Sequence, residues 1–481
     1  MRAPRSHIRI ASLVLVVGAT MLGLGSAPRA QVPARATLNA KQRLLAGEPL
    51  PVNTAERVKL LRELQQASPR PVYAPGRVIV KLADGGTEQS LRALSVRANG
   101  RSVTRPAYGD FVVLHLDPAA DVVKAAAELA LTPGVVYAEP DPILYPTYVP
   151  NDPLYSYQWN LQKIGMERTW DINQGADSSV VVAVIDGGVA YLDKGVFRQA
   201  PDLAGTSFVA PHDFIWDDNE PTDLDGHGTH VTGTIAQRTG NALGVAGVAF
   251  NVSIMPVKVV SGVWDVVLGA PNQGTDALLA EAIRYAADNG AQVINMSLGA
   301  EGESTPIHDA IEYALSKGVF MAAAAGNSGD EGNTPIYPAA YALEFDGLVA
   351  VAALDYNLAR SFYSNSNPYV EIAAPGGDTR VDLNNDSFAD GILQQTINQD
   401  LAEIGVFNEF RYEFFQGTSM ASPHVAGLAA LLVKQGVKDP RGIEKIIEHF
   451  ATDIGPAGRD NDTGFGVINP SAAIYGIGLA Q

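Results

Sequence analysis

The sequence contains no cysteine in its 481 residues. This absence excludes disulfide bonds, thiolate zinc sites, a catalytic thiol and a lipidated cysteine. Basic residues are also scarce, because 34 Lys and Arg stand against 52 Asp and Glu and leave a net charge of -18. Binding to nucleic acid phosphates needs a basic surface, so nucleic acid is not an expected partner. The 46% hydrophobic fraction excludes wholesale disorder, and the length suffices for several folded domains.

The acidic charge is concentrated in the C-terminal two thirds of the chain. Residues 1–30 carry four Arg and no acidic residue, and residues 31–148 have a net charge of +3. Residues 149–481 hold 16 basic and 41 acidic side chains, which is a net charge of -25. A weakly basic N-terminal part joined to a strongly acidic C-terminal part indicates at least two structural units.

The first thirty residues have the pattern of a secretory signal. Three arginines precede an apolar run over residues 10–25, and small residues follow up to Ala30. The alternative is a membrane anchor, but the run falls short of the roughly 20 apolar residues that a spanning helix needs. We therefore expect a signal peptide at 1–30, secretion to the extracellular or periplasmic space, and no stable membrane association.

The next part of the chain predicts a small domain preceded by a loose segment. Residues 31–74 are polar and rich in Ala and Arg, which predicts poor order. Alternating and helical hydrophobic patterns then follow one another and predict an α+β domain over 75–148. Its prolines exclude a helix at 143–150, which is therefore expected to be an extended connector. The predicted strands span 77–82, 111–116 and 135–140, and the predicted helices span 88–98 and 121–130.

A first chemically informative segment runs from Val180 to Gly188. Its continuous β-branched run predicts a buried parallel strand, and Asp186 stands at the carboxyl end of that strand, followed by two glycines. Open α/β sheets place their ligands at this edge. Taken alone, Asp186 could equally be a metal ligand or a ribose-binding residue.

A second segment, 225–236, places His227 between glycines at a predicted helix start. A histidine without bulky neighbours is accessible enough for proton transfer. The alternative is a metal pair, because His227 and His230 share one helix face. No third nitrogen ligand is evident nearby, and the chain has no His-Glu-x-x-His pattern. General base catalysis is therefore preferred to metal catalysis.

A third segment, 417–432, places Ser419 where a loop meets a long apolar helix. The free amides at a helix start favour negative charge developing beside this serine, although a lone serine here could simply be a helix cap. The three segments together supply an acid, a base and a nucleophile. An acid, a base and a serine together can activate the serine hydroxyl as a nucleophile, and catalytic triads with the chain order Asp, His, Ser are known.

These segments resemble a known protein family. Val-Ile-Asp-Gly-Gly, Gly-His-Gly-Thr-His-Val-Thr-Gly and Gly-Thr-Ser-Met-Ala-Ser-Pro-His-Val-Ala-Gly match, in order, the three catalytic blocks of the subtilases, the subtilisin-like serine endopeptidases. The resemblance covers about 150–475, and residues 75–145 resemble the inhibitory propeptide of the family. It implies a doubly wound, mostly parallel α/β sheet over 149–481, preceded by a small ferredoxin-like α+β propeptide domain over 75–148.

The resemblance also implies the residues of the active site. Asp186, His227 and Ser419 match the catalytic triad, and Asn327 matches the side-chain donor that binds the oxyanion. Tyr337-Pro338 resembles a turn beside the specificity pocket, where the proline is often cis. The residues that match the substrate-binding segments are Ser297, Leu298, Gly299, Ala325 and Gly326.

A structural calcium ion is implied in the same way. Three pieces of the chain resemble, in order, the pieces of the tight calcium site of the family, and six or more oxygen ligands suit this ion. The alternative is that these are ordinary surface acids of an acidic chain. The implied ligands are the side chains of Asp152, Asp202 and Asn241 and the carbonyl groups of Leu243 and Val245.

Three features depart from the family pattern. Gly187 stands where the family usually has Thr or Ser, so a hydroxyl beside Asp186 is lost. Residues 377–416 are longer than usual and include an acidic stretch, 382–390, which could reshape the substrate cleft or bind a partner. Residues 261–275 are a glycine-rich insertion, in which Trp264 could form a subsite wall or pack internally.

The leading hypothesis is a secreted, monomeric serine endopeptidase that is made as a self-processing zymogen and cleaves proteins or peptides. Its own propeptide would aid folding and then inhibit the cleft, with self-cleavage between about Pro142 and Pro150. One alternative is a catalytically impaired subtilase fold used as an extracellular binding protein. Another is a metallohydrolase that uses His227 and His230.

Overall fold

The computed structural model describes residues 73–83, 87–106, 108–142 and 148–476. The predicted signal peptide at 1–30 and nearly all of the predicted loose segment at 31–74 lie outside the described residues, as do residues 143–147 of the predicted connector. Within the described ranges, every helix is too short or too polar to cross a bilayer.

The N-terminal unit is a four-stranded antiparallel sheet with two helices. The strand order is β2-β3-β1-β4 and the elements follow one another as βαββαβ, which confirms the predicted ferredoxin-like α+β fold. Both helices are capped, since the side chains of Thr87 and Asp121 accept backbone N–H groups of the first turn. The strands are β1 (Tyr73–Leu82), β2 (Ser102–Thr104), β3 (Val112–His115) and β4 (Val135–Pro142), and the helices are α1 (Glu88–Arg97) and α2 (Val122–Ala130).

Alternate residues of β1 bury the core of this unit. Val78 and Val80 point inward and pack with Leu114 of β3, while Leu94 and Leu129 close the core from the helices. The period of two along the strand and the apolar stripes of the helices therefore meet in one small hydrophobic cluster.

The C-terminal unit is built on an eight-stranded sheet in which every pairing is parallel. The strand order is β14-β13-β11-β9-β5-β8-β6, and β7 also pairs with β8. From β5 the order runs outward through β9, β11, β13 and β14 on one side and through β8 on the other, so the predicted doubly wound, mostly parallel sheet is confirmed. Its strands are β5 (Val181–Asp186), β6 (Ser207–Phe208), β7 (His212–Asp213), β8 (Ser253–Lys258), β9 (Val293–Met296), β11 (Phe320–Ala324), β13 (Leu348–Leu354) and β14 (Ile372–Pro375).

The central strands are buried on both faces, which explains their continuous apolar runs. A long buried helix, α10, packs on β9, β11, β13 and β14. The helices of this unit are α3 (Trp159–Lys163), α4 (Met166–Trp170), α5 (His227–Ala236), α6 (Val263–Leu268), α7 (Asp276–Asp288), α8 (Thr305–Ser316), α9 (Gln399–Ala402), α10 (Thr418–Lys434), α11 (Pro440–Phe450) and α12 (Pro470–Gly476).

Two short antiparallel pairs flank the main sheet. One joins β10 (Ala300–Glu301) to β12 (Ile336–Tyr337), and the Tyr337–Pro338 peptide bond that follows is cis. The other is a hairpin of β15 (Ile392–Ile397) and β16 (Phe410–Phe415), which comes from the long 377–416 segment. This hairpin packs against α5, the helix that begins with His227.

Candidate active site

The candidate site lies where two neighbouring parallel strands end. Residues Ile185 of β5 and Met296 of β9 are paired in register, so the next residues, Asp186 and Ser297, emerge side by side. Adjacent strands are about 4.8 Å apart. The register of the sheet therefore brings together side chains that are more than a hundred residues apart in the chain.

Asp186 holds His227 in a fixed orientation. The Oδ1 atom of Asp186 accepts a hydrogen bond from Nδ1 of His227 at 2.8 Å and another from the Gly187 N–H at 2.7 Å. The carboxylate is only 3% exposed, and its Oδ2 atom has no hydrogen-bond partner. A Cβ atom built on Gly187 would lie 3.6 Å from Oδ2 of Asp225, so the hydroxyl-bearing side chain that the family usually has here would face Asp225.

Acidic groups surround the backbone at the start of α5. Oδ1 of Asp225 accepts the His227 N–H at 2.7 Å, while the buried Asp223 accepts the N–H groups of Gly226 and Thr229. Burial opposes protonation of His227, but the charge and hydrogen bond of Asp186, followed by the charges of Asp225 and Asp223, outweigh it and raise the pKa of His227 to about 9. The imidazolium form of His227 is therefore strongly stabilised.

Ser419 stands in the first turn of α10, after Gly417. Its Oγ atom donates to the Ser297 carbonyl oxygen at 3.2 Å, and the Ser297 hydroxyl donates to the Ser419 carbonyl oxygen at 2.7 Å. A hydroxyl has one proton, so Ser419 must rotate before it can donate to His227. The Gly417 backbone has φ +150°, a conformation that strains any residue with a Cβ.

The amide of Asn327 points toward the same place. Its Oδ1 atom accepts the backbone N–H and the hydroxyl of Thr418, both at 2.9 Å, which turns its Nδ2 donor the other way. A Cβ atom built on Gly417 would lie 3.6 Å from Asn327 Nδ2 and 3.5 Å from the Ser419 nitrogen. Two N–H donors therefore border one small space beside Ser419, as an oxyanion site requires.

An apolar cleft continues from these residues. Leu298, Gly299 and Tyr337 line a cavity of about 180 Å³, together with Val260 and Ile307. Ala325 is buried at the end of β11, and the next residue, Gly326, has φ +109°. The segment that follows Ser297 at the end of β9 thus also forms one wall of a pocket large enough for an apolar side chain.

The family assignment follows from comparison with known proteins. A model described as "Subtilase family" matches residues 177–466, which is more than half of the chain. The chain belongs to the subtilase family. A second model, described as the fervidolysin N-terminal prodomain, matches residues 62–141.

Individual subtilases agree with this assignment. A thermophilic serine proteinase of Bacillus sp. (strain AK1) is 36% identical over 406 residues, 84% of this chain and 88% of that protein. Thermitase of Thermoactinomyces vulgaris is 36% identical over 312 residues, 65% of this chain and 94% of thermitase. A solved protease structure from Pseudoalteromonas arctica has a TM-score of 0.55 and 31% identity, and the match covers 68% of this chain and 98% of that one.

The present subtilase is therefore a serine endopeptidase with an N-terminal prodomain, as the sequence motifs predicted. The relatives are serine proteinases and give no support to a catalytically impaired binding protein. The proposed metal pair also finds no support in the geometry. His230 is fully buried, its Nε2 atom contacts the Ile392 carbonyl oxygen at 2.9 Å, and its ring stacks on Phe415. Burial lowers the pKa of His230 to about 3, so it is a neutral core residue of the subtilase fold.

The structure also brings together the side chains expected to bind calcium. Asp152 accepts the Gly240 N–H at 2.7 Å, and the Asn241 side chain donates to Asp202 at 2.8 Å. Asp202 further accepts the Val245 N–H at 3.0 Å, and Leu243 lies in the same turn. Both carboxylates are buried.

Several residues that support the site were not identified from the sequence. Thr396 and Gln399 of the inserted segment donate to the carbonyl groups of Gly226 and Asp225, just before His227. Trp264, left open between a subsite wall and internal packing, donates to the Ala402 carbonyl oxygen and packs on Phe407. An acid shortly before a helix start is a capping signal that could have identified Asp223 as a support of this helix start. The contacts of Thr396 and Gln399 with the residues before His227 have no local signal in the sequence.

Proposed function

We propose that Asp186, His227 and Ser419 form the catalytic triad of this endopeptidase. The observation that carries the proposal is the 2.8 Å hydrogen bond between Asp186 and His227. Beside it, at the end of the neighbouring strand, Ser297 and Ser419 each donate a hydroxyl hydrogen bond to the carbonyl oxygen of the other. With Nδ1 of His227 committed to Asp186, the Nε2 atom is available to accept a proton. This is the arrangement that converts a serine hydroxyl into a nucleophile.

In the proposed reaction, His227 takes the Ser419 proton while the serine oxygen attacks the scissile carbonyl carbon. The carbonyl oxygen becomes an oxyanion and is held by Asn327 Nδ2 and the Ser419 N–H. His227 then gives its proton to the leaving amine, and an acyl-enzyme remains on Ser419. Water, activated by His227, hydrolyses that ester and restores the serine. Asp186 stabilises the imidazolium that forms in both halves.

The substrate would bind in an extended conformation along residues 297–299. Backbone pairing gives affinity without strong sequence demand, and an apolar side chain would enter the cavity beside Leu298. Ala325 and Gly326 would border the pocket next to the scissile bond. Proteins and peptides are the proposed substrates, and a monomer is the proposed working form.

We further propose that the protein is exported and matures by its own cleavage. The domain scheme is a signal peptide at 1–30, a pro-segment at 31–74, an inhibitory prodomain at 75–148 and a catalytic domain at 149–481. The N-terminal charge and hydrophobicity pattern supports export, and the prodomain match supports inhibition before processing. Cleavage would fall between about Pro142 and Pro150, and the mature enzyme would act in the extracellular or periplasmic space.

A structural calcium ion fits the residues around Asp152 and Asp202. Both carboxylates are buried, neither forms an ion pair among the described residues, and their hydrogen-bond donors are neutral N–H groups. Burial raises the pKa of both groups, that of Asp202 to about 6, as expected for buried carboxylates whose negative charge is not balanced by a cation. Asn241 and the carbonyl groups of Leu243 and Val245 would complete the oxygen shell. Calcium would neutralise this charge and tie the three chain segments together.

Labelling with a fluorophosphonate probe tests the catalytic proposal. The purified protein should be labelled on Ser419, and the Ser419→Ala variant should be unlabelled and retain its prodomain. An exposed serine such as Ser316, changed to Ala, serves as the matched control and should leave labelling intact. A correctly folded parent protein that takes up no probe, or Ser419→Ala protein that still sheds its prodomain in isolation, would contradict the proposal.

A further inference from the structure

The inserted 377–416 segment contains a regular series of oxygen-bearing side chains, which we call the 382–390 loop. Asp382, Asn384, Asp386 and Asp390 stand at positions 1, 3, 5 and 9 of this loop. EF-hand calcium loops supply side-chain oxygens from positions 1, 3 and 5, a backbone carbonyl from position 7, a ligand at position 9 that is often a water, and a bidentate Glu at position 12. Position 12, counted from Asp382, is Leu393 in this chain, so the match is to the first nine positions. The family resemblance assigns no role to this loop.

The loop is wound around its own acidic side chains. Asp382 accepts the backbone N–H groups of Asp386 and Ser387 at 3.2 and 3.1 Å. Asn384 Oδ1 also accepts the Asp386 N–H at 2.8 Å, and Asp386 Oδ1 accepts the Phe388 N–H at 2.8 Å. The side chains at positions 1, 3 and 5 are thus folded back onto one short stretch of backbone.

The carboxylate of Asp390 supplies an independent indication of a ligand. Asp390 is only 1% exposed, and its Oδ2 atom reaches into the loop to accept the Leu383 N–H at 2.6 Å. Its Oδ1 atom is equally buried but has no hydrogen-bond partner. Arg380, the nearest basic residue in the chain, forms its ion pair with Asp378 instead. A buried carboxylate oxygen without a partner is costly and calls for a cation.

Asp390 shares the loop with two more acidic side chains, Asp382 and Asp386. Three carboxylates therefore converge in one loop, and the described residues offer them no basic partner.

We propose that the 382–390 loop binds a calcium ion through side-chain oxygens of Asp382, Asn384, Asp386 and Asp390 and the Phe388 carbonyl oxygen. Five protein oxygens leave room for one or more waters in a shell of six to eight. This site is separate from the one proposed at Asp152 and Asp202, and it does not depend on the proposed catalytic function.

Binding at this loop would steady the inserted hairpin beside His227. Asp390 stands two residues before β15, and its carbonyl oxygen accepts the Asp378 N–H at 3.0 Å, which closes the base of the segment. Further along β15, Thr396 donates to the Gly226 carbonyl group. The ion would therefore fix the segment whose far side supports the start of α5.

One position shows how the loop could be improved. Ser387, at position 6, has φ +76°, whereas calcium loops of this kind use glycine there because of the sharp turn. A side chain in this left-handed conformation is strained. Ser387→Gly should therefore relieve strain in the ion-binding conformation and tighten calcium binding by about fivefold.

Calcium titration calorimetry on the full-length Ser419→Ala protein, which cannot digest itself, tests the proposal. The Asp382→Asn/Asp386→Asn double variant should bind one calcium fewer than the parent. Asp400→Asn is the matched control, because Asp400 is an exposed acid of the same segment that pairs with Arg411, and it should leave the stoichiometry unchanged. Titration up to millimolar calcium covers the affinity range of extracellular modules, on the order of 10⁻⁴ to 10⁻³ M.

The Ser387→Gly variant keeps the test decisive if the double variant does not fold, which circular dichroism would reveal. A fivefold tighter affinity at one site supports the proposal. Undiminished stoichiometry in a folded double variant, or an unchanged affinity at every site in Ser387→Gly, overturns it.

Discussion

Replacing Glu371 by Gln should stabilise the folded protein at alkaline pH. Glu371 immediately precedes β14 and is 8% exposed. One of its carboxyl oxygens lies within 4.8 Å of a carboxyl oxygen of Glu444 and of Glu448, which are one turn apart in α11. Its Oε2 atom has no hydrogen-bond partner. Burial, followed by the charges of Glu444 and Glu448, raises the pKa of Glu371 to about 9. The folded protein therefore holds this carboxyl group in its neutral form at pH 7.

The sign of the pH dependence follows from proton binding. In the unfolded chain Glu371 has its ordinary pKa of about 4.3, so between pH ~5 and ~9 the folded state keeps a proton that the unfolded state has lost. The free energy of unfolding then falls by about 1.4 kcal/mol for each pH unit as the pH rises. Between pH ~5 and ~8 the loss amounts to as much as about 4 kcal/mol. Gln is neutral throughout, so the gain in stability from Glu371→Gln should be about 4 kcal/mol larger at pH 8 than at pH 5.

Urea unfolding of the Ser419→Ala protein across pH 5 to 9, at constant calcium, measures this difference. The exposed Glu403→Gln variant is the matched control and should follow the parent at every pH. If the unfolding free energies of Glu371→Gln and the parent run parallel over the whole range, Glu371 is ionised in the folded protein and the reasoning is refuted.

Three further predictions concern catalysis. Asn327→Ala should lower kcat by about 10² to 10³ with little change in KM, the range known for loss of this donor in a subtilisin; an effect on KM alone would contradict the oxyanion role. Asp186→Asn should lower kcat about 10⁴-fold in a folded protein, and a loss below tenfold would exclude it from the triad. Because His227 must be neutral to act, kcat/KM should rise with pH through a limb above the ordinary histidine value; Asp225→Asn removes a charge that raises the pKa of His227 and should move that limb to lower pH by about half a unit. An unmoved limb would show that Asp225 does not act on His227.

The local signals in the sequence were strong where function constrains a short stretch of backbone. Asp186 ends a continuous apolar strand. Glycine occupies position 417, two residues before Ser419, because its φ of +150° would strain any residue with a Cβ. The parallel sheet was predictable for the same reason, since strands buried on both faces have uninterrupted apolar runs. The cis peptide bond before Pro338 also agrees with the expectation from the family.

The remaining features depend on contacts between distant parts of the chain. The side chains of Thr396 and Gln399 donate hydrogen bonds to carbonyl groups that lie 170 and 174 residues away in the chain. No local sequence pattern predicts partners at such a distance. Glu444 and Glu448 have the spacing of an exposed helix face, and only the packing of α11 against the segment before β14 shows that they meet Glu371. Burial of polar groups is set by tertiary structure, so it could not be predicted from the sequence alone.

The order in which the chain supplies its proposed catalytic groups has a consequence for biosynthesis. Asp186 and His227 are made first, but the proposed nucleophile is made only with α10, 192 residues after His227. An unfinished chain on the ribosome has an acid and a base with nothing to activate. Premature termination at any point before α10 would therefore give a product that cannot attack the proteins of the cell that makes it.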